Sequence, residues 1–193
     1  MSAVDWGFPL FRAFNMNVSS RSPFRIVLLA TGGTIEKSYD ATAGALTLDM
    51  PVIEILLAGL DQPDVQIEVR RVMSIDSLAM GEAERAEVVA AVRDSLAADD
   101  ADAIVITHGT DTLARTAEAL AEALDGPGCP IVLTGAMRPY RVADSDAAQN
   151  VAQAVMAARL VAPGVYAAFH GRVIAAGRIV KDYERLTLVE AET

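Results

Sequence analysis

The feature that most constrains this chain is a set of short, uninterrupted apolar runs rich in branched residues. Arg25 to Ala30 (RIVLLA), Ala103 to Thr107 (AIVIT), Ile131 to Thr134 and Gly164 to Phe169 each read this way. Such runs suit strands buried on both faces, which is how parallel sheets are covered. Between them lie stretches with helical spacing. Val52 to Leu60 opens after Pro51. Gly81 to Ala98 carries Val88, Val89, Val92 and Leu96. Asp111 to Leu124 carries Leu113, Ala117, Leu120, Ala121 and Leu124, and Asp144 to Leu160 carries Ala148, Val151, Ala152, Val155, Met156 and Leu160. Val65 to Val72 alternates apolar and charged residues and reads as a strand with one wet face, and Val173 to Ile179 as a final hairpin-like pair. Alternating strands and helices predict an α/β fold: a doubly wound, mostly parallel sheet with helices on both faces.

At 193 residues the prior is one domain, large enough to bury a core without disulfide or metal staples. Sixteen basic against 26 acidic residues leave a net charge of −10, which disfavours nucleic acid and anionic membrane as partners. The lone cysteine, Cys129, excludes an internal disulfide and a thiolate zinc cluster, and His108 and His170 read as packed, hydrogen-bonded residues. Met73, Met80, Met137 and Met156 read as core fillers. No metal or other cofactor is expected. No apolar run reaches the ~20 residues of a membrane span, and a cytoplasmic location is expected. Residues 1–21 form an N-terminal extension, either disordered or an interface arm carrying Trp6, Phe8, Phe11 and Phe14; residues 22–193 form the domain.

In open α/β sheets ligands bind beyond the carboxyl ends of the strands, where the strand order reverses. The loops after the first two buried strands are also the most unusual stretches of the chain. Thr31-Gly32-Gly33-Thr34 permits a sharp turn and close approach of a ligand to the main chain. Thr107-His108-Gly109-Thr110-Asp111-Thr112 ends a strand and opens a helix at Thr110 or Asp111. Free amides there attract a carboxylate or a developing oxyanion, and Asp111 can accept an ammonium group. A plain helix cap is the competing reading of Thr110-Asp111. Neither GxGxxG nor GxxxxGK[ST] is present.

Leu29-Ala30-Thr31-Gly32-Gly33-Thr34-Ile35 and Ile106-Thr107-His108-Gly109-Thr110-Asp111-Thr112-Leu113 resemble the two signature motifs of the L-asparaginase/glutaminase family of threonine amidohydrolases. Leu133 to Pro139 (LTGAMRP), the helix that follows, and Gly177 to Lys181 (GRIVK) resemble further family segments. The resemblance runs from about Arg25 to about Lys181. It implies a Rossmann/flavodoxin-like sheet and hydrolysis of L-asparagine to L-aspartate and ammonia through an acyl-enzyme. It also implies roles position by position. Thr34 matches the nucleophile, Thr110 the second essential threonine, and Lys181 the base acting with Thr110. Asp111 matches the acceptor of the substrate amine and Ser77 the partner of its carboxylate. Asp76 is Ser77's neighbour. Gly33, Gly109 and Ala136 line the substrate, and Tyr39 is the candidate for the lid hydroxyl. A threonine hydroxyl needs such a base, and lysine serves if burial lowers its pKa, so activity should rise with pH.

Family members carry a second, smaller domain, whereas this chain ends shortly after Lys181. It therefore reads as a short form, the N-terminal catalytic domain alone, assembled as a homo-oligomer (dimer or tetramer). Two other readings stand beside the hydrolase: a non-catalytic amino-acid-binding module, and an amidotransferase-like subunit that supplies ammonia to a partner. Asparagine against glutamine is a one-methylene question worth ~1–3 kcal/mol, and one sequence leaves it open.

Overall fold

The computed structural model describes residues 22–48, 52–99 and 101–192. The aromatic positions expected to form an N-terminal arm lie outside these residues. Strand β1 (Phe24–Gly32) is followed by a 3-10 turn (Thr34–Glu36) and a hairpin, β2 (Lys37–Asp40) and β3 (Ala45–Leu48). Then come α1 (Val52–Ala58), β4 (Val65–Ile75), a 3-10 turn (Ser77–Ala79), α2 (Glu82–Ala97), β5 (Ala103–Thr107), α3 (Leu113–Ala123), β6 (Pro130–Thr134), α4 (Ala147–Leu160) and β7 (Gly164–Phe169). Three short strands close the described chain: β8 (Arg172–Ala175), β9 (Ile179–Asp182) and β10 (Thr187–Glu190).

Six strands form one sheet in the order β4-β1-β5-β6-β7-β8, parallel except for the β7–β8 pair. Taken in chain order, the five parallel strands run 2-1-3-4-5, the flavodoxin-like order. The order reverses between β1 and β5, so the two threonine turns flank the switch point. Successive β1 residues feed opposite cores. Val27 and Leu29 pack with Ile104, Ile106, Val92 and Leu120, on the α2 and α3 side. Ile26 and Leu28 pack with Val105, Ile53, Leu56 and Val151, on the α1 and α4 side. Each such side chain contributes about 1.5–3 kcal/mol by leaving water, and a one-residue register slip would exchange both cores at once.

Three expectations need correction. The end of the chain does not make one hairpin over 173–179. Instead β8 adds antiparallel to the sheet edge, while β9 pairs with β10 in a separate hairpin. Leu188 of that hairpin is buried in the α2–α3 core, which draws the ribbon onto this layer. Second, α3 begins at Leu113 and not at Thr110 or Asp111, because Thr112 turns its hydroxyl to the Ser77 carbonyl (2.9 Å) and not back to its own helix. Third, the buried residues of α4 are Ala147, Asn150, Val151, Ala154, Val155, Ala157 and Ala158, while Ala148, Met156 and Leu160, expected inside, are exposed. Alanines let the helix lie close to the sheet, and Asn150 is inside because its amide has backbone to serve. Small volume and hydrogen bonding outrank hydrophobicity here.

Candidate active site

The ends of β1, β4, β5 and β6 converge at the switch point. Thr31 Oγ1 donates to the Thr107 carbonyl (2.8 Å), joining the ends of β1 and β5. Gly33, with φ of 85°, donates its amide to Ile75 at the end of β4 (3.0 Å). A Cβ on Gly33 would lie 2.5 Å from the Gly109 nitrogen, and one on Gly109 would lie 2.6 Å from the Ser77 Cβ. Glycine is required at both positions because the two turns and Ser77 pack directly on one another there, and this brings the segments that carry Thr34 and Thr110 side by side.

Lys181 enters this crevice from β9. Its Nζ donates to Thr110 Oγ1 at 2.8 Å and pairs with Asp111 Oδ1 at 2.8 Å. Thr110 is 3% exposed and the Lys181 side chain 14%, so a link between residues 71 positions apart in sequence is largely withdrawn from water. Thr34 opens the 3-10 turn after β1 and is half-buried. Ser77 is buried, and its Oγ has no hydrogen-bond partner among the described residues. Such an orphan calls for an explanation, and a polar ligand group is one. Asp76 caps the turn that carries Ser77 by accepting from the Leu78 amide (2.9 Å), and it binds Lys37 Nζ at the base of the β2–β3 hairpin. The Lys37 hydrogen bond, the Leu78 amide and the charges of Lys37 and Lys181 hold its carboxyl below the ordinary carboxylate value. Tyr39 lies on β2, 68% exposed, and its hydroxyl has no hydrogen bond among the described residues. Ala136 is fully buried in the turn after β6.

His108 is fully buried beneath the second turn. Its Nδ1 faces the Gly109 carbonyl (2.8 Å), which only accepts, so Nδ1 carries the proton and Nε2 accepts from Thr116 Oγ1 (2.9 Å). Burial pushes its pKa down to about 4. The imidazole is therefore a neutral strut under Gly109, as a packed histidine would be.

Two supporting networks were not legible beforehand. Asp146 accepts the amides of Met137 (3.0 Å) and Arg138 (2.9 Å), the Asn150 side-chain amide (2.9 Å) and His170 Nε2 (2.9 Å). Burial alone would raise its pKa, but these donors outweigh burial and hold it low. Asn150 also donates to Gly135 O (3.0 Å), and His170 Nδ1 meets Thr187 Oγ1 of β10 (2.9 Å). The turn holding Ala136 is thus tied to the hairpin carrying Lys181. The only sequence signal was an aspartate at a helix start, which ordinarily reads as a cap. In the second network Glu36, fully buried just after Thr34, pairs with Arg71 (3.0 Å), which also grips Glu54. Burial raises the Glu36 pKa despite that partner.

Fold and site together define a doubly wound α/β protein whose switch point gathers two threonine turns, a lysine and an aspartate. Residues 25–185 match the family described as asparaginase, N-terminal, and the chain belongs to that family. It is 39% identical over 164 residues to the L-asparaginase of Thermococcus kodakarensis, a match spanning 81% of this chain and 47% of that protein. It is 35% identical over 149 residues to a subunit of the glutamyl-tRNA(Gln) amidotransferase of Methanococcus vannielii, spanning 77% of this chain and 34% of that one. The solved thermostable L-asparaginase from T. kodakarensis superposes with a TM-score of 0.78 at 34% identity, over 86% of this chain and 51% of its own. A probable cytoplasmic L-asparaginase from Campylobacter jejuni superposes with a TM-score of 0.73 at 32% identity, over 82% and 49%. The chain thus spans about half the length of these L-asparaginases.

Proposed function

We propose that the protein is an amidohydrolase that converts L-asparagine to L-aspartate and ammonia through an acyl-enzyme. The observation that carries this reading is the Lys181 Nζ contact with Thr110 Oγ1 and Asp111 Oδ1, 2.8 Å each, at the carboxyl end of β5. Thr34 is the nucleophile. Its hydroxyl adds to the side-chain amide carbon, and the amide nitrogen departs as ammonia once it gains a proton. Thr110 and Lys181 form the proton relay: as Thr34 attacks, its proton passes to Thr110 while Thr110 gives its own to the lysine amine, and the ammonium so formed returns a proton through Thr110 to the departing nitrogen. Water then adds to the acyl carbon by the same relay and frees Thr34. The amides of Gly109 and Thr110 have no acceptor among the described residues, and they are the donors for the oxyanion. One such donor is worth on the order of 10²–10³ in rate in comparable hydrolases.

Substrate recognition uses the remaining groups. The Ser77 hydroxyl, otherwise unsatisfied, meets the substrate carboxylate, and Asp111 accepts the substrate ammonium. Tyr39 and the β2–β3 hairpin close over the site. No described helix is long and apolar enough to cross a membrane, and a cytoplasmic homo-oligomer is the setting we propose.

The test is ammonia release from L-asparagine and L-glutamine, side by side, with Thr34→Ala as the blank. Release from asparagine that disappears in the variant supports the reading; equal release by the variant refutes it. The likeness to the M. vannielii amidotransferase favours one second reading, a protein that releases ammonia only with a partner. A folded protein inactive alone and active once a partner protein is added would select that reading.

A further inference from the structure

We propose that Tyr183, to which the asparaginase resemblance assigns no role, is a positioning residue whose ring face holds the Lys181 amine against Thr110. The inference rests on the reading of Lys181 as Thr110's partner. An ammonium group has three donors. Two point at Thr110 Oγ1 and Asp111 Oδ1, and Lys181 Nζ also lies 5.0 Å from the centre of the Tyr183 ring. A cation at that distance is drawn to the ring face, more strongly as water is excluded. The ring therefore covers a side of the amine that the two hydrogen bonds leave uncovered, although Tyr183 is itself 65% exposed. Its hydroxyl makes no hydrogen bond among the described residues, so the aromatic face is what it offers.

The backbone fixes this placement. Tyr183 sits in the turn between β9 and β10, where Asp182 Oδ1 accepts the amides of Glu184 (3.0 Å) and Arg185 (2.9 Å). Leu186 follows with φ of 49°, bringing the chain back. Across the hairpin, Thr187 is bonded to His170, and Leu188, the cross-strand partner of Lys181, is 1% exposed. A turn tied at both ends keeps the ring beside the amine it follows by two residues. By contrast Tyr39, the tyrosine expected from sequence, stands on the exposed hairpin.

The experiment compares wild type, Tyr183→Phe and Tyr183→Leu in the full chain. Acetylation of Lys181 is measured by mass spectrometry of its peptide, with Lys37 as the internal reference. The expected result is labelling about fivefold faster in Tyr183→Leu, the size of an ordinary cation–π contact, and unchanged in Tyr183→Phe. Turnover of asparagine, read at a pH where the wild-type rate no longer rises, should fall about fivefold in kcat in Tyr183→Leu, because the ring no longer faces the ammonium that proton transfer creates, with KM within about twofold and full recovery in Tyr183→Phe. Equal melting temperatures show that an exposed side chain has been changed without harm to the fold. Unchanged Lys181 labelling in Tyr183→Leu overturns the proposal, and so does a Phe variant that behaves like Leu. The labelling judges the ring even if the wild type releases no ammonia, an outcome that would sink the hydrolase reading alone.

Discussion

The turn after β5 and the hairpin after β1 both follow buried central strands, yet they are built in opposite ways. In the turn, Thr107, His108, Thr110 and Thr112 are all buried. A Cβ at Gly109 would collide with Ser77, and His108 stands beneath as a neutral strut. The hairpin keeps Tyr39 and Leu46 more than half exposed, and its tip is organised locally by Asp40, which accepts the Thr42 and Ala43 amides. Its base is tethered by the Lys37–Asp76 pair. A Cβ at Gly44, in its turn, would meet nothing within 4 Å. Groups that must keep 2.8 Å geometry are set by packing that offers no alternative. Among the described residues the hairpin proposed to close over the site is tethered by a partly exposed ion pair, Lys37–Asp76, and exposed segments of this kind open locally at low cost.

The comparison can be tested from both sides. The largest effect belongs to the rigid side: Thr110→Ala should lower ammonia release from asparagine by on the order of 10³-fold or more while circular dichroism is unchanged. Next, the same substitution placed in the two regions should differ in cost. Gly33→Ala, at φ 85° and against the Gly109 backbone, should lose about 4 kcal/mol in denaturant unfolding, and Gly44→Ala, at φ 63° in open space, about 1 kcal/mol. Equal costs would show that the turn is not packed as described.

A pH effect follows from His108. Its folded pKa of about 4 lies below the ordinary 6.5, so the unfolded chain binds the proton more readily. Its contribution is complete above about pH 6.5 and is lost as pH falls towards 4, up to roughly 3 kcal/mol. The slope of stability against pH in this window should flatten in His108→Gln; an unchanged slope would contradict the neutral strut. The smallest effect is at the tether. Lys37→Met should cost only about 0.5 kcal/mol, because the pair is partly exposed. It should also raise the Asp76 pKa towards 3.8 and speed amide exchange over 37–48, leaving 103–112 unchanged.

What the sequence disclosed follows the physics of each element. Strands buried on both faces announce themselves by composition, so Ala103–Thr107 and Gly164–Phe169 match their expected bounds, and the switch-point rule placed both threonine turns. The β2–β3 and β9–β10 ribbons stayed hidden because short, half-exposed strands carry little periodicity. Lys181 was reached by resemblance, since nothing local marks a lysine that reaches a residue 71 positions away. Asp146, Asn150 and Glu36 were missed for a related reason. Their partners are backbone amides, a backbone carbonyl, a histidine and an arginine supplied by other elements, and a buried polar residue reads from sequence as a surface one.

The central claim is that Thr110 and Lys181 act as one relay. The direct measurement is ammonia release from L-asparagine by wild type, Thr110→Ala, Lys181→Met and the double variant. If the relay is a unit, each single variant loses nearly everything and the double variant loses no more. Wild-type-like release from either single variant, or a double variant whose loss is the product of the two, would contradict it.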